Sequence, residues 1–86
     1  MIDLEVFGYI AGVLGVVAWA PQFRKVWFDK RHEGVSLPTL LLVIITLSMW
    51  VIYGVAIGAS AVIWSNVAAI TIISSVIVGV MRLRKN

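Results

Sequence analysis

The chain contains no cysteine among its 86 residues. Disulfides, thiolate nucleophiles and cysteine-based metal sites are thereby excluded. Charge is nearly as scarce, at 13% of residues. From Gly34 to Met81, 48 consecutive residues carry none. That leaves no acidic or basic group deep in the second half of the chain, where proton pumps and ion-coupled carriers generally place one. There is no Ser-His-Asp set, no HExxH, no carboxylate pair and no phosphate loop. The sole histidine, His32, stands in a charged loop, where a solvated role is expected. The expectation is a protein that is not an enzyme and needs no cofactor or metal.

What fills the chain instead is hydrocarbon. Hydrophobic residues make up 62%, with a mean hydropathy of +1.05. A soluble domain of this size needs a polar shell that such a composition cannot supply. Crossing a hydrocarbon core of about 30 Å takes roughly 20 apolar residues as helix. Three segments qualify: Val6–Phe28, Leu37–Ile57 and Ala61–Met81. The first is the least uniform, because Arg24 and Lys25 interrupt its C-terminal end. A cleaved signal peptide is not the expectation there, since the chain opens with Asp3 and Glu5 and not with a basic stretch. Solidly apolar segments also exclude a β-barrel, which needs alternation. The fold class is therefore all-α: one membrane domain over 1–86, with helices at about 4–28, 37–57 and 61–83.

The net charge of +3 is placed in a telling way. Arg24, Lys25, Lys30 and Arg31 surround the first loop, and Arg82, Arg84 and Lys85 form the tail. The second loop, around Gly58, Ala59 and Ser60, has no charge. This is the positive-inside pattern. It predicts an inner-membrane protein with its N-terminus outside and its C-terminus cytoplasmic. It also argues against nucleic acid or acidic lipid as the partner of the basic groups, while the three apolar spans make membrane lipid the expected surroundings.

Local signals refine the helices. Ser36 can cap helix two, and Pro38 is tolerated in a first turn. The short second loop makes helices two and three antiparallel neighbours. Gly8, Gly12 and Gly15 share a face of helix one, a stripe that lets backbones approach closely in lipid. The stripe suits packing inside one chain or contact with a second copy. Sequence does not separate the two.

Few polar or aromatic residues lie at depth. Pro21 removes a backbone N–H and predicts a kink or a hinge in helix one. Gln22 offers an amide that can satisfy the broken turn or bridge to a neighbour. In helix two, Trp50, Tyr53 and Gly54 stand at i, i+3 and i+4, which predicts a shared face. Tyr53 suits an interfacial anchor. Trp50 lies deeper and gives a flat apolar plate with one N–H donor, suited to the C–H faces of a sugar. Asn66 in helix three serves either as a hydrogen bond between helices or as a ligand contact, since its amide donates and accepts without charge. Trp50 lies about eight residues before the second loop and Asn66 about six after it, which sets them at similar depth.

These residues carry a resemblance. Pro21-Gln22, the run Leu47-Ser48-Met49-Trp50-Val51-Ile52-Tyr53-Gly54, and Ser65-Asn66-Val67 make the chain similar to the SemiSWEETs, three-helix sugar transporters of the PQ-loop superfamily. The resemblance covers most of the chain. It implies a parallel homodimer with one path between two bundles, and passive, bidirectional sugar transport by alternating access. It implies that Trp50 and Asn66 line the sugar pocket, that Pro21 with Gln22 is the hinge, and that Tyr53 belongs to the outer gate. Some positions depart from the family pattern. Ile57 and Ala59 stand where an arginine and an aspartate are expected near the outer gate. Thr39 and Val43 stand where methionine and phenylalanine are expected near the inner one. Closure by apolar contact is expected in their place. Three other readings of the residues remain open: a PQ-loop carrier of another small polar solute, a small accessory membrane subunit, and a hole-forming lysis protein that would form large oligomers and leak nonspecifically.

Overall fold

The structure is a computed structural model that describes residues 4–85. Among the described residues there are four helices: α1 (Leu4–Val17), α2 (Ala20–Trp27), α3 (Leu37–Ile57) and α4 (Ser60–Lys85). Together α1 and α2 form one span, Leu4–Trp27, while α3 and α4 are the second and third. All three are long and apolar enough to cross a membrane. The molecule measures 50 × 24 × 15 Å. Its long axis exceeds the roughly 30 Å hydrocarbon thickness, so both ends reach the headgroup regions.

Helix one, expected over 4–28 with a kink or hinge at Pro21, is interrupted just before that proline. The cause is Pro21, which has no N–H to offer the carbonyl of Val17. The turn before it tightens: Trp19 N–H donates to Val16 O at 3.1 Å, a three-residue bond. Helical bonding then resumes with Phe23 N–H on Trp19 O at 3.0 Å. Pro21 falls in the first turn of α2, where a missing N–H costs nothing.

The start of α3 follows expectation. Ser36 Oγ accepts from Thr39 N–H at 3.3 Å, and Pro38 occupies the first turn. Its end is set by Gly58, at φ +70°, whose N–H reaches back to the carbonyls of Gly54 and Val55. Ala59 N–H adds a 2.8 Å bond to Gly54 O. An L-residue with a Cβ is strained in this left-handed conformation. Gly58→Ala is therefore expected to lower stability by about 1 kcal/mol, read as a reduced midpoint of thermal unfolding in detergent.

The extensive helix contacts all involve α4, which packs against α1, α2 and α3. The core gathers at the basic end, where Val26, Leu40, Ile73, Val76 and Val80 are buried together with Val35. Two glycines set how closely α4 meets the two halves of helix one. At Gly12 an added Cβ would stand 2.6 Å from Ser65 Cβ. At Gly79 it would stand 2.5 Å from Val26 Cγ1 and 3.0 Å from the Trp27 ring. Trp27 Nε1–H also donates to Ser75 O at 3.0 Å, and the Arg82 guanidinium lies 6.0 Å from the Trp27 ring centre. So α1 and α2 are each fastened to α4, and the break at Ala18–Trp19 lies between the two attachments.

The first loop and the end of α4 meet at the same end. Arg84 donates to His32 Nδ1 at 3.2 Å and to Val35 O at 2.7 Å. Lys25 Nζ donates to Glu33 O at 2.5 Å, and Arg31 pairs with Glu33 at 3.5 Å.

Candidate functional site

A groove of about 580 Å³ runs between α1 and α3 with α4 as its floor. That volume lies within the about 300–1,000 Å³ of small-molecule sites. Trp50 from α3 and Asn66 from α4 both line it. Their similar depth, read from helix rise, thus places them in one concavity. Small residues open the space: Gly8, Ala11 and Gly15 on α1, and Ala61 and Ala69 on α4. No charged side chain lines it.

Asn66 is positioned by its own helix. Its Nδ2 donates to Val62 O at 2.7 Å. Within the protomer the amide is thus not a bridge between helices, one of the two uses the sequence left open. Among the described residues nothing donates to its Oδ1, so an acceptor and a second N–H remain for a ligand. Ser65 beside it returns its hydroxyl to Ala61 O at 2.8 Å. Trp50 is half exposed, and its indole N–H has no acceptor among the described residues.

The expected shared face of Trp50, Tyr53 and Gly54 divides in the structure. Gly54 is buried against Val62 and Ile63, each 3.1 Å from where its Cβ would stand, so it serves α3–α4 packing. Tyr53 lies outside the groove. It meets Trp50 edge to face at 5.6 Å, at an interplanar angle of 87°, and lines a second recess with Trp50, Thr46 and Met49. The reason is rotation: three residues carry a helix only 300° around, enough to turn Tyr53 off the wall that Trp50 occupies.

The glycine stripe divides as well. Gly8 and Gly12 face α4 within the protomer, at Ala61 and Ser65. Gly15 meets nothing within 4 Å and opens onto the groove. Trp19, which the sequence reading passed over, lines the groove too. Its signal was present, because Gly8, Gly12, Gly15 and Trp19 follow one another at i+4, i+3 and i+4. Pro21 sits directly after the break. Gln22 makes no side-chain hydrogen bond among the described residues, so the broken turn is not closed by its amide.

Val43 lines the basic end of the groove, while Thr39 is exposed and donates to Ser36 Oγ at 2.9 Å. Ile57 is exposed at the end of α3. In the first loop, the Glu33 carboxyl is held below its ordinary value, first by its own backbone N–H and then by the charges of Arg31 and His32. Any stability this lends is present above the unfolded carboxylate pKa and is lost as pH falls through the lowered folded value.

Comparisons with known proteins agree with this architecture. Residues 4–63 match the family described as PQ loop repeat. The sugar transporter SemiSWEET of Bradyrhizobium diazoefficiens is 32% identical over 81 residues, which are 94% of this chain and 92% of that one. An uncharacterized protein of Methanocaldococcus jannaschii is 38% identical over 53 residues, 62% of this chain and 57% of that one. No solved structure matches the chain. With three membrane-length helices and these relatives, the chain is a multi-pass membrane protein that belongs to the PQ-loop family and, along nearly its whole length, to its SemiSWEET members.

Proposed function

We propose that the chain carries a neutral sugar across the membrane, passively and in both directions, by alternating access. The observation that carries this reading is the meeting of Trp50 and Asn66 in one groove without a charged residue. The indole face suits the C–H surface of a pyranose. The free amide atoms suit its hydroxyls, which donate and accept without charge. A charged solute would leave its charge unpaired there, at a large desolvation cost. The named function of the Bradyrhizobium relative adds weight to the same substrate class.

The working unit is a parallel homodimer within one membrane domain over 1–86. A single protomer is about 15 Å across its thinnest dimension, little more than one helix with its side chains, so it walls the groove on one side only. A second copy related by a two-fold axis would enclose a path and present each pocket residue twice. The basic end faces the cytoplasm and the N-terminus lies outside, because all seven basic residues flank the first loop or form the tail. Pro21 and Gln22 mark the hinge. What supports it is the break before Pro21 between two separately fastened half-helices. Tyr53, beyond the groove at the uncharged end, narrows the outer opening. Ile57 and Ala59 leave that opening without a charged lock.

The test is uptake of radiolabelled glucose and sucrose into proteoliposomes, at equal sugar on both sides and under a gradient. The wild-type chain should show saturable, gradient-driven uptake of at least one sugar. Asn66→Ala should lower it by about ten-fold, the effect of losing one or two hydrogen bonds to a bound ligand. Wild-type protein that moves neither sugar would defeat the sugar reading and favour another solute or an accessory role.

A further inference from the structure

The contact line between α1 and α4 has two sides. One is the groove of Trp50 and Asn66. The other carries an apolar furrow of about 330 Å³, whose walls include Tyr9, Val13, Val17, Trp64 and Ala68. Toward the basic end lies a wider recess of about 750 Å³, lined by Ala20, Phe23, Arg24, Phe28, Asp29 and Ile72. The two adjoin along the same seam. On unbroken α4, Ala68 of the furrow and Ile72 of the recess stand one turn apart, and on the first span Val17 of the furrow and Ala20 of the recess flank the break. The surface therefore begins as hydrocarbon and ends in charge.

The charges at that end are of both signs. Asp29 closes the end of α2, its backbone N–H on Arg24 O at 3.0 Å, and both residues line the recess. Even so, the two side chains form no ion pair. Among the described residues the Arg24 guanidinium has neither a carboxylate nor a hydrogen-bond acceptor, and the Asp29 carboxylate has no donor. Their order along the membrane normal also matters. Arg24 lies within the last turn of α2, nearer the furrow, and Asp29 lies beyond the helix end. Phe23 and Phe28 meet edge to face at 6.3 Å beside them, at the depth where aromatic side chains anchor a bilayer interface.

A phospholipid presents its groups in the same sequence: acyl chain, then phosphate, then headgroup amine. We propose that this groove binds one amine-headed zwitterionic phospholipid in the leaflet at the basic end. An acyl chain lies in the furrow, the phosphate meets Arg24 and the ammonium meets Asp29. A primary ammonium keeps N–H donors for the carboxylate. A quaternary choline nitrogen has none, and a glycerol headgroup has no cation. The groove thus selects phosphatidylethanolamine over both phosphatidylcholine and phosphatidylglycerol.

The experiment equilibrates the purified protein in detergent with equimolar phosphatidylethanolamine, phosphatidylcholine and phosphatidylglycerol of identical acyl chains. Retained lipid is counted by native mass spectrometry. The wild-type chain should enrich phosphatidylethanolamine about five-fold, the size of one charge contact at a membrane surface. Asp29→Asn should erase the preference over phosphatidylglycerol while keeping lipid bound. Arg24→Gln should lower retention of all three. Val17→Trp fills the furrow and leaves both charges, and should also lower all three. Phosphatidylglycerol retained above phosphatidylethanolamine by the wild-type chain would reduce the site to a basic patch and overturn the proposal. Equal retention of the three lipids would do so as well, as would an unchanged preference in Asp29→Asn.

Discussion

Trp50→Ala is expected to cut initial sugar uptake in proteoliposomes by about ten-fold or more, with folded protein recovered in normal yield. Truncating an aromatic that packs directly on a ligand typically costs about 2 kcal/mol or more. The fold should bear the change. Trp50 is half exposed in the protomer, and its ring contact there is the edge of Tyr53, worth about 0.5–1.5 kcal/mol. Trp50→Phe keeps an apolar plate and loses the N–H, so it should retain part of the activity. The two variants separate stacking from hydrogen bonding. Wild-type uptake by Trp50→Ala would remove this residue from the path and leave the groove without its stacking face.

The second large effect concerns stability and rests on a contrast among glycines. Gly79→Ala should lower the thermal midpoint in detergent the most, Gly12→Ala should lower it clearly, and Gly15→Ala should leave it unchanged or raise it. At Gly79 the new methyl collides with Val26, which is 1% exposed and has nowhere to move, and with the ring of Trp27. At Gly12 it collides with Ser65 Cβ on the facing helix. Overpacking of this kind costs about 1–3 kcal/mol. At Gly15 nothing stands within 4 Å, so only the helix-propensity gain of roughly 0.5–1 kcal/mol remains. Equal shifts for all three, measured by loss of the monodisperse peak on heating, would mean that α4 does not approach helix one as described.

Much of this was legible along the chain. Three spans, the two basic flanks, the capped start at Ser36 and the interruption near Pro21 all follow from local chemistry. Each depends on what a stretch of about 20 residues or a single backbone N–H can do in hydrocarbon. The pairing of Trp50 with Asn66 also needed little more than helix rise and a short second loop. The break itself sits at Ala18 and Trp19, just before the proline, because the lost donor is missed by a carbonyl one turn earlier.

Facing was a different matter. In a water-soluble helix the polar side marks the outside, and the core side follows. Here α3 and α4 are apolar around most of their circumference, and lipid accepts the same side chains as the core does. Composition therefore could not say that Tyr53 lies off the groove wall that Trp50 lines, that Gly54 is buried, or that Gly12 meets α4 while Gly15 and Trp19 open on the groove. Nor could it say that Arg24 and Asp29 end a furrow on the opposite side. Hydropathy, a sum over residues, determined how many times the chain crosses the membrane and which ends carry charge. Shape decided the rest, because close packing between apolar surfaces depends on where each methyl or missing methyl stands once the helices meet.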